Sequence, residues 1–153
     1  MTRLAVRAIS PGSAKATAVV SNMSINFPAA FLKALNILPF KRGEIRDRHH
    51  DLFRTNVTGK ALIFPTCVGS TYTGLVLLEL IKNGYAPSAV IVSLADPLLV
   101  SGCVLARVWY KKCLPILEFV DQEDIGRITT GDRVSYSEGD GWISVTSSTA
   151  GTP

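Results

Sequence analysis

An α/β domain with a central βαβ unit flanked by antiparallel hairpins is predicted by three features of this 153-residue chain. ALIF (residues 61–64) and AVIVSL (residues 89–94) are short runs of apolar or small residues without alternation, as in strands buried on both faces. Between them LVLLELIK (residues 75–82) is long and apolar enough for a packed helix, and Asn83-Gly84 with Pro87 beyond it supplies a stop. Both ends of the chain instead show strand-length pieces separated by Gly, Pro, Ser and Asp, the punctuation of hairpins.

Taken in order, Arg3 to Ile9 alternates weakly, Ser10-Pro11-Gly12-Ser13 is a turn signal, and Ala14 to Ser21 is a second strand, which predicts a β-hairpin. From Asn22 to Phe40, Phe27, Phe31, Leu35 and Leu38 recur at helical spacing, Pro28 suits a first turn and Pro39 closes the segment. This amphipathic helix either covers the core or offers a docking surface to another chain. KRGEIRDRHHDLFRTN (residues 41–56) is polar and predicts a loop with a brief extended piece. After the βαβ unit comes a second turn of the same pattern, with Pro97 to Leu105 helical and Pro115 to Val120 extended. The last hairpin pairs Arg133 to Tyr136 with Trp142 to Val145 around Glu138-Gly139-Asp140-Gly141. Without repeats or a dividing linker, residues 1–146 are expected to form one domain and residues 147–153 a flexible tail.

Bulk properties narrow the function classes. A net charge of +4 with thinly spread basic residues, apart from Lys41-Arg42, Arg46, Arg48 and Lys111-Lys112, argues against nucleic acid as a partner. Arg3 and Arg7 are followed by Pro11 and Gly12 without an apolar run, so no secretory leader is expected. Ala89 to Ala106 approaches membrane-spanning length, but Asp96-Pro97 interrupts it, and a central Asp costs about 2.5–3.5 kcal/mol on insertion. No membrane contact is expected. Cys67, Cys103 and Cys113 fit neither a disulfide framework nor a close-spaced metal site, which points to free thiols and a cytoplasmic location. Against this, 47% hydrophobic residues is high for a free-standing domain and hints at apolar surface kept for a partner.

The candidate chemistry lies in CVGSTYTG (residues 67–74), where small and hydroxyl-bearing residues join a buried strand to a helix. Ser70 is placed to cap the helix, and free N–H groups with the positive end of the helix dipole would welcome a carboxylate or phosphate. The loop is neither a Walker loop nor a dinucleotide fingerprint, and Val68 two residues before Ser70 rules out a G-x-S-x-G elbow. Cys67 could be a thiol nucleophile at a helix start or a small buried hydrophobe at a strand end. His49 and His50 are adjacent, so at most one points into a site. Asp96 before Pro97 reads as a helix cap. An enzyme lowers its barrier by about 8–23 kcal/mol, and one positioned acid or base supplies about 10²–10⁴-fold. One anion cradle and one proton-transfer group are half an active site; the chain either binds or completes a site held elsewhere.

GEIRDRHHDLF (43–53), GKALIFPTCVGSTYTG (59–74), NGYAPSAVIV (83–92), SGCVLA (101–106), LPILEF (114–119) and TGDRV (130–134), in that order, resemble the small, swivelling-domain subunit of the aconitase X family. The resemblance covers residues 8–145 and implies a swivelling β/β/α domain that closes over a separate large subunit. Together they would form a hydro-lyase dehydrating a small hydroxy acid such as a hydroxyproline; phosphomevalonate is another substrate described for the family. An iron or iron–sulfur centre would be held by the large subunit, none by this chain. Ser70 would be the catalytic serine, with Gly69, Thr71 and Thr73 lining its loop; apart from the resemblance, Arg48 and His50, polar groups gathered in one loop, are candidates for further substrate contacts. The sequence departs from the family pattern in two places. Val68 stands where many members carry Arg before Gly-Ser, and Ser24 to Ala30 replaces a glycine-rich segment. Both departures count against phosphomevalonate and leave the substrate class open. The alternative is a stand-alone carboxylate-binding or regulatory domain without catalytic activity.

Overall fold

The computed structural model describes residues 1–37 and 43–151. The expected closure of the first helix at Pro39 and the basic pair Lys41-Arg42 therefore lie outside the described residues. Seven strands, β1 (Thr2–Ser10), β2 (Ala14–Val20), β3 (Ala61–Phe64), β4 (Ala89–Val92), β5 (Ile116–Phe119), β6 (Arg133–Tyr136) and β7 (Trp142–Thr146), close into a barrel in the order β1-β5-β4-β3-β2-β6-β7. Helices α1 (Phe27–Ile37), α2 (Thr73–Asn83) and α3 (Pro97–Tyr110) complete the regular structure, with short 3₁₀ turns at Gln122–Arg127 and Ser148–Gly151. Among the described residues no helix is long and apolar enough to cross a membrane.

Strands β2 to β5 are mutually parallel, and the expected βαβ units appear as β3-α2-β4 and β4-α3-β5. The C-terminal hairpin is present as antiparallel β6 and β7, with Val134 opposite Val145. The N-terminal hairpin is not. Strand β1 pairs with β7 through Thr2 to Ala5 and with β5 from Val6 onward, while β2 pairs with β6 through Ala14 to Thr17 and with β3 from Ala18 onward. A strand has two hydrogen-bonding edges, and both edges of each are occupied by other partners. Pro11, Gly12 and Ser13 thus form a corner, backed by Pro115 against Gly12, rather than a hairpin turn. Those two bent strands join the parallel and antiparallel sheets and close the barrel.

The period-2 geometry of a strand explains why β3 and β4 carry apolar residues at every position. Ala61, Ile63 and Ile91 join Leu4, Val134 and Ile143 in the cluster that fills the barrel. Leu62, Phe64, Val90 and Val92 belong to a second cluster shared with the helices. Helix α1 covers that second core: Phe27 and Phe31 are fully buried, with ring centroids 5.2 Å apart, and Phe27 stands 6.1 Å from Phe64. Of its two predicted roles, core cover is the one it plays. Asn26 starts it, its Oδ1 accepting from the Ala29 N–H at 3.2 Å.

The expected stops and caps are largely in place. Gly84 adopts the left-handed cap of α2, with Tyr85 N–H reaching Leu80 O at 2.9 Å. Asp96 caps α3 by accepting from Leu98 N–H at 2.7 Å, with Pro97 in the first turn. Helices α2 and α3 meet where Gly74 faces Gly102, and a Cβ at Gly102 would collide with Gly74 O. Backbone, not a flexible side-chain end, occupies that space, so Gly102→Ala must push the helices apart. We expect a loss of about 1–3 kcal/mol from overpacking, measured by urea unfolding. An unchanged midpoint would show that the crossing yields freely. In the tail, Ser148 N–H donates to Asp132 Oδ1 at 3.2 Å.

Candidate functional site

The parallel strands direct their C-terminal ends to one edge of the barrel, where α/β folds present ligand-binding loops. After Phe64 the chain is held on both sides. Pro65 O accepts from Ser93 N–H at 2.9 Å and Leu94 N–H at 3.0 Å, while Ile25 N–H donates to Thr66 O at 3.1 Å and Val68 N–H to Ile25 O at 3.0 Å. Gly69 then takes φ of +95°, a region open to glycine, and its missing Cβ leaves room for the Asn26 carboxamide. The tight approach turns the chain so that Ser70 stands at the entrance to α2.

Ser70 does not cap α2 as expected. The N-cap position is Tyr72, with no side-chain cap, and Ser70 Oγ accepts the Tyr72 N–H at 3.0 Å one step earlier. Thr73 is fully buried and donates its hydroxyl to Ser70 O at 2.8 Å, so it shapes the loop from beneath. The physical reason is competition: a Ser two residues before the cap can close its own turn, and Thr73 ties that turn down. Gly69 and Thr71 are exposed and Ser70 is partly exposed, so these three residues form the surface of the loop. The first N–H groups of α2 lack helical partners, and the positive end of its dipole lies beside Ser70.

Arg48 and His50, expected to add substrate contacts, part company. Arg48 is exposed and makes no ion pair among the described residues. The His50 side chain is only 4% exposed. Its Nδ1 accepts the Leu52 N–H at 3.1 Å, and its Nε2 is a buried atom without a partner among the described residues. His49 is exposed, so the two histidines do face opposite ways. Asp51 Oδ1 accepts from Ser21 Oγ at 2.6 Å and lies 3.1 Å from His50 Nδ1, which fastens this loop to the end of β2. No hydrogen bond joins Arg48 or His50 to the Ser70 loop among the described residues. Sequence reasoning gave no role to Asn26 or Ser21 and read Asp51 only as a neighbour of the two histidines. Asn26 had a signal, a capping residue directly before Phe27-Pro28; the Ser21–Asp51 pair, thirty residues apart in the chain, had none.

The thiol alternative fails on electrostatics. Cys67 is buried, and burial, reinforced by the Asp96 carboxylate, pushes its pKa from 9.0 up to about 12. Burial does the same to Cys103, raised to about 12, whereas Cys113 is exposed. Iodoacetamide near neutral pH is expected to modify one thiol per folded chain and three after denaturation; rapid labelling of Cys67 would reverse this conclusion. Folded-state values above the unfolded 9.0 also mean that the stability held by these two thiols is complete below pH 9 and is lost as pH rises from about 9 towards about 12. As for a metal, no group of three or more His, Cys, Asp or Glu converges among the described residues, and the donor set for an iron or iron–sulfur centre does not fit here.

Comparison with known proteins matches residues 3–145 to the family described as the aconitase X swivel domain. The phosphomevalonate dehydratase small subunit of Archaeoglobus fulgidus is 31% identical over 92% of this chain and 96% of its own length. That of Methanopyrus kandleri is 34% identical over 65% of this chain and 69% of its own. Among solved structures, the holo-form of Thermococcus kodakaraensis aconitase X superposes with a TM-score of 0.80 at 24% identity, covering 96% of this chain and all (100%) of that one. A UPF0107 protein solved by NMR gives 0.78 at 29% identity over 95% of this chain and 100% of its own. With the family matched along nearly its whole length and the barrel reproduced, the chain belongs to the aconitase X swivel-domain family.

Proposed function

We propose that this chain is the small subunit of a two-subunit hydro-lyase, supplying Ser70 to a site that a large subunit completes. The single observation that carries this reading is the loop itself. An oriented, partly exposed serine sits at a helix start, with no second catalytic group bonded to it among the described residues. Dehydration of a hydroxy acid breaks a C–H bond beside the carboxylate and a C–O bond on the next carbon, forms a double bond and releases water. Ser70 Oγ, entering as the alkoxide, takes the proton; the hydroxyl departs as hydroxide and is protonated to water, and release of the proton from Ser70 restores the alkoxide. The Tyr72 N–H and the helix dipole favour negative charge on that oxygen, and Gly69 and Thr71 border the place where the carboxylate would lie. Thr73 holds the serine's backbone still; Arg48, exposed, is the group of its loop free to meet a substrate, while His50, buried, holds that loop in shape. The iron or iron–sulfur centre of such an enzyme belongs to the large subunit. Three free cysteines suit a cytoplasmic location.

The relatives named above are phosphomevalonate dehydratase subunits, none a hydroxyproline dehydratase, which makes phosphomevalonate the first substrate to test. One feature favours an unphosphorylated hydroxy acid instead: Val68 before Gly69 is 48% exposed and apolar, so this position offers no charge to a phosphate. Co-expression with the large subunit, followed by turnover assays on phosphomevalonate and cis-3-hydroxyproline, decides between them. A stand-alone carboxylate-binding domain would instead purify without a partner, and that result would overturn the proposal.

A further inference from the structure

Against Gly69, the residue before Ser70, stands a hydrogen-bond donor that the proton transfer does not use. Asn26 immediately precedes α1, and its neighbours are fixed: Ile25 is laced to the Ser70 loop through Thr66 O and the Val68 N–H, and Phe27 is fully buried. The carboxamide is fixed too. Its oxygen accepts the Ala29 N–H at 3.2 Å, and since a carboxamide nitrogen cannot accept that bond, the cap also decides which end is oxygen and which is nitrogen. The nitrogen faces the loop: Nδ2 is the atom that a Cβ on Gly69 would strike, with Cγ 3.1 Å and Oδ1 3.6 Å from the same point. Asn26 is partly exposed, and its NH2 group makes no hydrogen bond among the described residues. Two unused donors are thus held beside a loop, residues 67–74, that carries no cation of its own.

We propose that Asn26 is a substrate-binding residue, its side-chain N–H groups donating to the carboxylate of the hydroxy acid whose proton Ser70 removes. The inference rests on the hydro-lyase reading and adds which side chain holds the substrate's anion. The proton removed lies on the carbon next to the carboxylate, so the carboxylate must come to rest beside Ser70 Oγ, over the exposed backbone of Gly69 that Nδ2 faces. A carboxylate only accepts hydrogen bonds, and a carboxamide NH2 offers two without carrying charge. Neutrality matters for the base. A cation at this place would favour the alkoxide before the reaction and lower its basicity, whereas a neutral donor orients the substrate and leaves Ser70 able to take the proton. The two ends of one side chain therefore have separate tasks: Oδ1 caps α1, and Nδ2 meets the ligand.

That division permits a test in which the fold is kept. Asn26→Asp and Asn26→Ser both retain a good capping oxygen, so each full-length variant is expected to unfold near the wild-type temperature. Aspartate replaces the NH2 by a second acceptor and a negative charge; serine removes it without adding charge and is too short to reach Gly69. Turnover is measured with saturating large subunit on whichever of phosphomevalonate and cis-3-hydroxyproline the wild-type complex dehydrates. The KM of Asn26→Asp is expected to rise at least about 10-fold, as for loss of a hydrogen bond to a charged group, and that of Asn26→Ser to rise less but in the same direction. A fall in kcat with KM unchanged would make Asn26 only a prop for the loop, and an unchanged KM in Asn26→Ser would show that its NH2 holds nothing. Either result would overturn the inference and leave the hydro-lyase reading intact. A wild-type complex that turns over neither substrate would overturn that reading itself.

Discussion

Replacing Ser70 by alanine is expected to lower turnover of the assembled enzyme by about 10²–10⁴-fold, the range that one positioned proton-transfer group supplies. The loop should survive the change. Gly69 still makes its left-handed turn, and Thr73 still bonds to the residue-70 carbonyl, which alanine retains. Only the Tyr72 N–H loses its acceptor, at a partly exposed position where a hydrogen bond contributes about 0.5–1.5 kcal/mol. A serine acting as base predicts a fall in kcat with KM nearly unchanged, because the lost interaction exists only in the transition state. A rise in KM alone would make Ser70 a binding group, and full activity would remove it from the mechanism.

Phe64→Ala is the largest stability loss we expect, about 3–5 kcal/mol for a fully buried phenylalanine. Its ring fills the space between β3 and α1, 6.1 Å from Phe27, which in turn packs on Phe31. The cavity opens directly beneath the root of the Ser70 loop, where Pro65 is pinned to β4. At about 2–4 °C per kcal/mol for a chain of this size, calorimetry should show a fall of roughly 6–20 °C. A drop under about 1 kcal/mol would mean that α1 does not depend on this contact. The same variant should bind the large subunit less well, because Ile25, Asn26 and the loop they brace all follow from the seating of α1.

The elements legible in the sequence were those whose signal is local. Strand β3 was expected at Ala61 to Phe64 and is found there; continuous apolar residues over four positions leave few alternatives once the flanks are polar. Gly84 and Asp96 acted as read, since a left-handed cap and a capping carboxylate before proline need only a few neighbouring residues. Helix α3 ran on past Leu105 to Tyr110, because nothing between Ala106 and Lys111 breaks a helix and its outer face tolerates exposure. The N-terminal hairpin was misjudged for the opposite reason. Ser10 to Ser13 carries turn residues, but a turn signal does not say which strand lies alongside; β1 found β5 and β7, more than a hundred residues away.

The candidate site divides along the same line. Residue types and spacing marked the Gly69-Ser70 loop as a candidate site, and the motif order, which resembles the aconitase X swivel family, suggested what it completes. The tertiary structure decided which hydroxyl is presented and which is consumed, burying Thr73 while leaving Ser70 at the surface. It also turned His50 inward against Asp51, set Asn26 beside Gly69 and raised the Cys67 pKa to about 12. The sequence by itself determined the parallel core and singled out the Gly69-Ser70 loop as the candidate site, because periodicity and caps act over a few residues. Barrel closure and the burial of Thr73 and His50 were decided only in three dimensions, because each depends on contacts between segments far apart in the chain.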